Sequence, residues 1–181
     1  TCMRPILLNL ADIRKLCMPL LDGLSRLLEL LSNCFNVTLG EKLLDHMRKF
    51  ADPEVLNKMR YDTLTEGKGA NARMKPEDEV QVAASIIGLF HLLPPASNKF
   101  LDPLVSITLK LESILPALNF YGGFGTGSSS PYREPLIKFL VVEPQKTCDY
   151  FLRHLSQRKL SQMFQAILRH SSCNKIRQVV M

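Results

Sequence analysis

Converging backbone amides in a glycine-rich run can cradle a phosphate at a helix N-terminus, and GGFGTGSSSP at 122–131 has the composition for it. The spacing does not match. A Walker loop needs a Lys after its last glycine, and none follows Gly127. A dinucleotide turn needs GxGxxG after a strand, whereas Gly123-Phe124-Gly125-Thr126-Gly127 lies between two helical patterns. The run reads as a flexible linker, and no cofactor or small-molecule ligand is expected. The five cysteines, Cys2, Cys17, Cys34, Cys148 and Cys173, are odd in number and form no CxxC pair. That argues against a disulfide framework and a zinc site and for scattered buried thiols in a reducing compartment. His46, His91, His154 and His170 show no HxxxH or HExxH spacing, so each reads as a helix-edge residue and no metal is expected. Glu77, Asp78 and Glu79 open a helix, where the helix dipole accounts for them. No nucleophile elbow or paired carboxylate is present, and an enzyme is not expected.

One charge pattern remains. From Gln145 to Met181 there are seven Lys/Arg against a single acid, Asp149, so this end carries the whole formal net charge of +6. Arg153, Arg158, Lys159, Arg169, Lys175 and Arg177 are the candidate contacts for an acidic partner. A basic helical module for nucleic acid is the alternative, but the cations are dispersed and no aromatic RNA-binding motif accompanies them. Direct nucleic-acid binding is therefore not expected.

The elements that must position these residues are all helical. Apolar positions recur with helical period near 10–18 (after Asn9), 20–34, 39–51, a short segment after Pro53, 78–93, 102–115, 133–142, 145–156, 158–170 and 173–181. Leu24, Leu27, Leu28, Leu31 and Phe35 form one stripe. Leu43, Leu44, Met47 and Phe50 form another, and Leu104, Ile107, Leu111 and Leu115 a third. Thr38-Leu39-Gly40-Glu41 has capping-box spacing, which competes with the glycosylation pattern Asn36-Val37-Thr38 and favours a turn and cap between helices. Breaker-rich loops are expected near 62–77 and 116–131. No two-residue alternation persists, so the fold class is all-α. No apolar run reaches 18 residues, so no membrane helix is expected.

The punctuation repeats. An apolar helix end followed by proline occurs at Pro53, Pro95 and Pro144, 42 and 49 residues apart. That is close to the period of about 40–47 residues of HEAT-type hairpins. Residues 1–181 read as a single segment of an α-solenoid of HEAT-like helical hairpins. The start at Thr1 and the apolar end Val179-Val180-Met181 suggest a fragment of a larger chain.

RPILLNLADIRKLCMPLLDGLSRLLELLSNCFNVTLGEKLLDHMRKFADPEVL (4–56) resembles the helical-repeat region of the TRRAP family, the transformation/transcription domain-associated proteins. AASIIGLFHLLPPASNKFLDPLV (83–105) and SPYREPLIKFL (130–140) look like the next segments in the same order. The likeness covers well over half the chain and thins past about 156. It implies a piece of a very large α-solenoid related to phosphoinositide-3-kinase-like proteins whose kinase domain has lost its catalytic residues. Such proteins scaffold nuclear histone acetyltransferase complexes of the SAGA and NuA4/TIP60 type and are contacted by transcription activators. The partners implied are subunits of those complexes and activators. A helical-repeat segment of an active related kinase is the neighbouring alternative.

Overall fold

The computed structural model describes residues 17–30, 37–52, 54, 76–92, 99–114 and 130–181. Among them are eight α-helices and no strand: α1 (Met18–Leu30), α2 (Val37–Phe50), α3 (Pro76–Leu89), α4 (Leu101–Ile114), α5 (Arg133–Leu140), α6 (Pro144–Arg153), α7 (Arg158–Arg169) and α8 (Asn174–Val180). Short 3-10 turns extend α3 (Phe90–Leu92) and precede α8 (Ser171–Cys173). No helix of the described residues is long and apolar enough to cross a membrane.

The helices pack in alternation. α1 packs on α3 and α3 on α5, while α2 packs on α4. A chain whose successive hairpins stack this way buries on each neighbour the apolar face that one hairpin cannot cover alone. One layer (α1, α3, α5) is sealed by Leu21, Leu24 and Leu28, by Val82, Ile86 and Ile87, and by Leu136 and Ile137, all buried. Phe90 sits at the join between layers, edge-on to Phe100 (ring centroids 5.4 Å) and to Phe139 (6.4 Å). The C-terminal helices close around a stacked pair, Phe151 and Phe164, 4.7 Å apart and 8° from parallel. α8 packs on α6 through Ile176 and Cys148, both buried, and Cys173 is buried in the turn before α8.

Two buried threonine hydroxyls are satisfied by the backbone. Thr108 Oγ1 donates to Leu104 O at 2.7 Å within α4, and Thr147 Oγ1 donates to Leu140 O at 2.8 Å across the α5–α6 corner. This corner begins where Pro144 takes the first position of α6, which needs no amide donor.

Several local expectations are corrected. Thr38 lies inside α2, which begins at Val37, so it is not the cap. The Glu41 carboxylate is turned instead toward Lys99, whose Nζ donates at 2.7 Å. Met18 belongs to α1 rather than to an earlier helix, because Pro19 is tolerated in a first turn. Leu20 and Leu21 donate their amides back to Cys17 O. α3 starts at Pro76, two residues earlier than expected, again with proline leading. Its acidic start at 77–79 falls in the first turn. Cys17 is exposed, not buried, and His46 is buried in α2 rather than sitting at an edge. Asn36, Leu31, Phe35, Leu93, Leu115, Pro53, Pro95, Cys2, Cys34, the helix at 10–16, the segment after Pro53, and nearly all of the loops at 62–77 and 116–131 lie outside the described residues.

Candidate interaction surface

α7 is built to show two unlike faces. Leu160, Met163, Phe164 and Ile167 point inward. Arg158, Gln162, Gln165 and Arg169, spaced i, i+4, i+7, i+11, share the opposite face and are exposed. Lys159 and Ala166 flank them and are exposed as well. Helix rise places Arg158 and Arg169 about 16 Å apart along the axis. The last turn of α6 adds Leu152 and Arg153, and the turn into α7 adds Leu155; the two leucines are 52% and 46% exposed.

The six basic residues singled out from sequence divide into two sets. Arg153, Arg158, Lys159, Arg169 and Lys175 are exposed, and none makes an ion pair among the described residues. Arg177 is half-buried and spent internally. Its Nη1 donates to Leu168 O at 2.9 Å and His170 O at 3.0 Å, and its Nη2 donates to Asn174 Oδ1. It thereby satisfies carbonyls at the C-terminal end of α7, where a cation also suits the helix dipole. Asp149, the single acid of this end, accepts from Gln145 Nε2 at 3.3 Å and lies one turn before Arg153.

Three polar links tie the other helices to one another, and residue spacing alone carried no sign of them. Arg133 at the start of α5 grips Glu112 of α4 with two parallel bonds, Nε to Oε1 at 2.9 Å and Nη2 to Oε2 at 2.8 Å. Both side chains are largely buried, at 16% and 12% exposed. The Tyr150 hydroxyl of α6 donates to Asp102 Oδ1 at the start of α4, 2.7 Å away. Burial, then this hydrogen bond and the Asp102 charge, hold the phenol well above its ordinary pKa of 10.0. Lys99–Glu41 ties the same end of α4 to α2. An open hollow of about 340 Å³ lies there, lined by Leu44, Phe100 and Pro103 and rimmed by Glu41, Asp45, Arg48 and Lys99. Its rim charges are paired with each other, Arg48 with Asp45 and Lys99 with Glu41.

The two described C-terminal thiols are inert by placement. Burial, assisted by Asp149, pushes Cys148 up, and its Sγ lies 3.7 Å from Ile176 O. Burial also pushes Cys173 up, against the pull of Arg177. Among the described residues no three His, Cys, Asp or Glu side chains come together as metal ligands would.

Stacked helical hairpins with polar outer faces define an α-solenoid. The family model for the Tra1 HEAT repeat ring region matches residues 1–181. The chain belongs to that family. It is 45% identical over 175 residues to the probable transcription-associated protein 1 of Dictyostelium discoideum, covering 97% of this chain and 3% of that protein. It is 33% identical over 176 residues to the SAGA complex/NuA4 acetyltransferase complex subunit Tra1 of Schizosaccharomyces pombe, covering 97% of this chain and 4% of the relative. The human transformation/transcription domain-associated protein is 31% identical over 189 residues, with 99% and 5% covered. The chain thus spans only a few per cent of the length of these relatives. No solved structure matches it.

Proposed function

We propose that this chain is a non-catalytic scaffold segment of a large transcription co-activator subunit of histone acetyltransferase complexes, acting in the nucleus. The observation that carries the reading is the collinear match of the entire chain to the Tra1 HEAT repeat ring, together with a relative named as a subunit of SAGA and NuA4. The alternate-helix stacking supports it. A solenoid adds hairpin after hairpin at similar cost, so it spans long distances and offers an extended surface. Neighbouring subunits and activators dock on such a surface through many modest contacts, and disordered acidic segments fold as they bind. The chemistry is left to the acetyltransferase subunits that the scaffold gathers.

The test is mass spectrometry of what co-purifies with the full-length protein tagged at its native locus. Acetyltransferase and adaptor subunits in stoichiometric amounts are expected. Recovery of the protein alone, or with nucleic acid only, would overturn the reading.

A further inference from the structure

We propose that the outer face of α7, with the leucine-bearing turn before it, is the docking site for an acidic amphipathic helix of a neighbouring protein. This rests on the scaffold reading and names the partner chemistry of one surface within it.

Four observations point to that occupant. First, the face is polar where a stacking face would be apolar. Arg158, Gln162, Gln165 and Arg169 occupy it, and Ala166 is its sole exposed apolar residue, so another hairpin of the array has nothing to bury there. Second, the cations are unpaired among the described residues. Arg153, Arg158, Lys159 and Arg169 make no ion pair there, and no acid stands between Asp149 and Met181. Third, their placement matches a helix lying alongside. Arg158 and Lys159 stand at one end and Arg169 at the other, about 16 Å apart. The Gln162 and Gln165 amides lie between them as donors. Carboxylates about three turns apart on one face of a partner helix meet both ends. Fourth, Leu152 in the last turn of α6 and Leu155 in the turn before Arg158 each expose about half of their surface, which gives an apolar residue of the partner a place to be buried.

A phosphate backbone would use the cations but not the leucines. Stacking on bases would need aromatic rings, and no Phe or Tyr after Phe151 is exposed. The acidic helix uses both halves of the surface.

The test keeps the full-length protein in its native complex. A photo-crosslinking benzoylphenylalanine replaces Gln162 at the centre of the face, and cross-linked peptides are identified by mass spectrometry. The expected product is an acid-rich helical segment of another protein, and its yield falls as salt rises. Arg158→Glu/Arg169→Glu lowers that yield roughly tenfold, since each exposed pair turns from weak attraction to repulsion. Arg158→Gln/Arg169→Gln gives a smaller loss, which separates charge from misfolding. Cross-links to nucleic acid, to this same polypeptide, to a segment without acids, or to nothing would overturn the proposal. If acetyltransferase subunits still co-purify in that case, the scaffold reading stands and only the docking site fails.

Discussion

Replacing Glu112 by Gln removes the charge from the largely buried clamp between α4 and α5 while keeping its shape. Arg133 would then keep its positive charge at a site only 16% exposed, with a neutral amide in place of a two-point carboxylate. Breaking a fully buried pair from one side costs roughly 3–5 kcal/mol. The residual exposure here argues for the lower side, about 2 kcal/mol. If that loss is felt as easier local opening, amides of α5 exchange with solvent roughly 30-fold faster, at about 1.4 kcal/mol per factor of ten. Hydrogen-exchange mass spectrometry on the full-length protein reads this directly. Glu41→Gln is the matched control, because Glu41 and Lys99 are about half exposed. Such a pair is worth at most about 0.5 kcal/mol, a change of about twofold. A doubly apolar variant, Glu112→Met/Arg133→Met, should recover much of the protection, since neither charge is then stranded. Equal effects of Glu112→Gln and Glu41→Gln would refute the claim that burial sets the strength of these pairs.

Three further outcomes are expected. Phe90→Ala, which empties a fully buried site between Phe100 and Phe139, should cost about 3–5 kcal/mol and raise exchange in α3, α4 and α5 together. Tyr150→Phe should cost about 1 kcal/mol by removing the bond to Asp102. Because the Tyr150 phenol is raised above its ordinary pKa of 10.0, the wild-type contribution is intact below pH 10 and is lost as pH climbs from there toward the folded value. An ultraviolet pH titration should show a phenol ionising above the ordinary tyrosine range, and its absence in Tyr150→Phe identifies it as Tyr150. At pH 8 a neutral alkylating reagent should label exposed Cys17 first, while Cys148 and Cys173, buried with raised pKa values, react only on unfolding. Equal labelling of the three in the folded protein contradicts the packing of α6 against α8.

The helical period made most of the fold legible, because one buried stripe per helix is a strong and local signal. Leu43, Leu44, Met47 and Phe50 are all buried, as are Ala83, Ile86, Ile87 and Phe90. Helix ends were harder. Thr38 has the chemistry of a cap, but α2 extends past it and draws Glu41 into a tertiary pair. Tertiary context overrides such local preferences because a capping bond contributes only about 1 kcal/mol. The basic end was visible as a charge count, yet the count could not distinguish Arg177 from its neighbours. That distinction depends on where the carbonyls of α7 end in space. The exposure of Leu152 follows from α6 turning Thr147, Cys148 and Phe151 inward, and that of Leu155 from the helix stopping at Arg153. The Arg133–Glu112 and Tyr150–Asp102 links join residues 21 and 48 positions apart, and no periodicity reports such pairs.

Apolar packing and polar ties hold the stack at different depths. α1, α3 and α5 meet through buried apolar side chains, and α2 and α4 pack with Leu43, Met47, Leu104 and Val105 buried as well, while Lys99–Glu41 and Tyr150–Asp102 tie the N-terminal end of α4 to α2 and α6. Separating packed helices exposes apolar surface at about 25 cal/mol for every Å², while opening one of the polar ties costs about 1 kcal/mol or less. The ties therefore act as latches, which can open and close while the apolar contacts beside them stay shut.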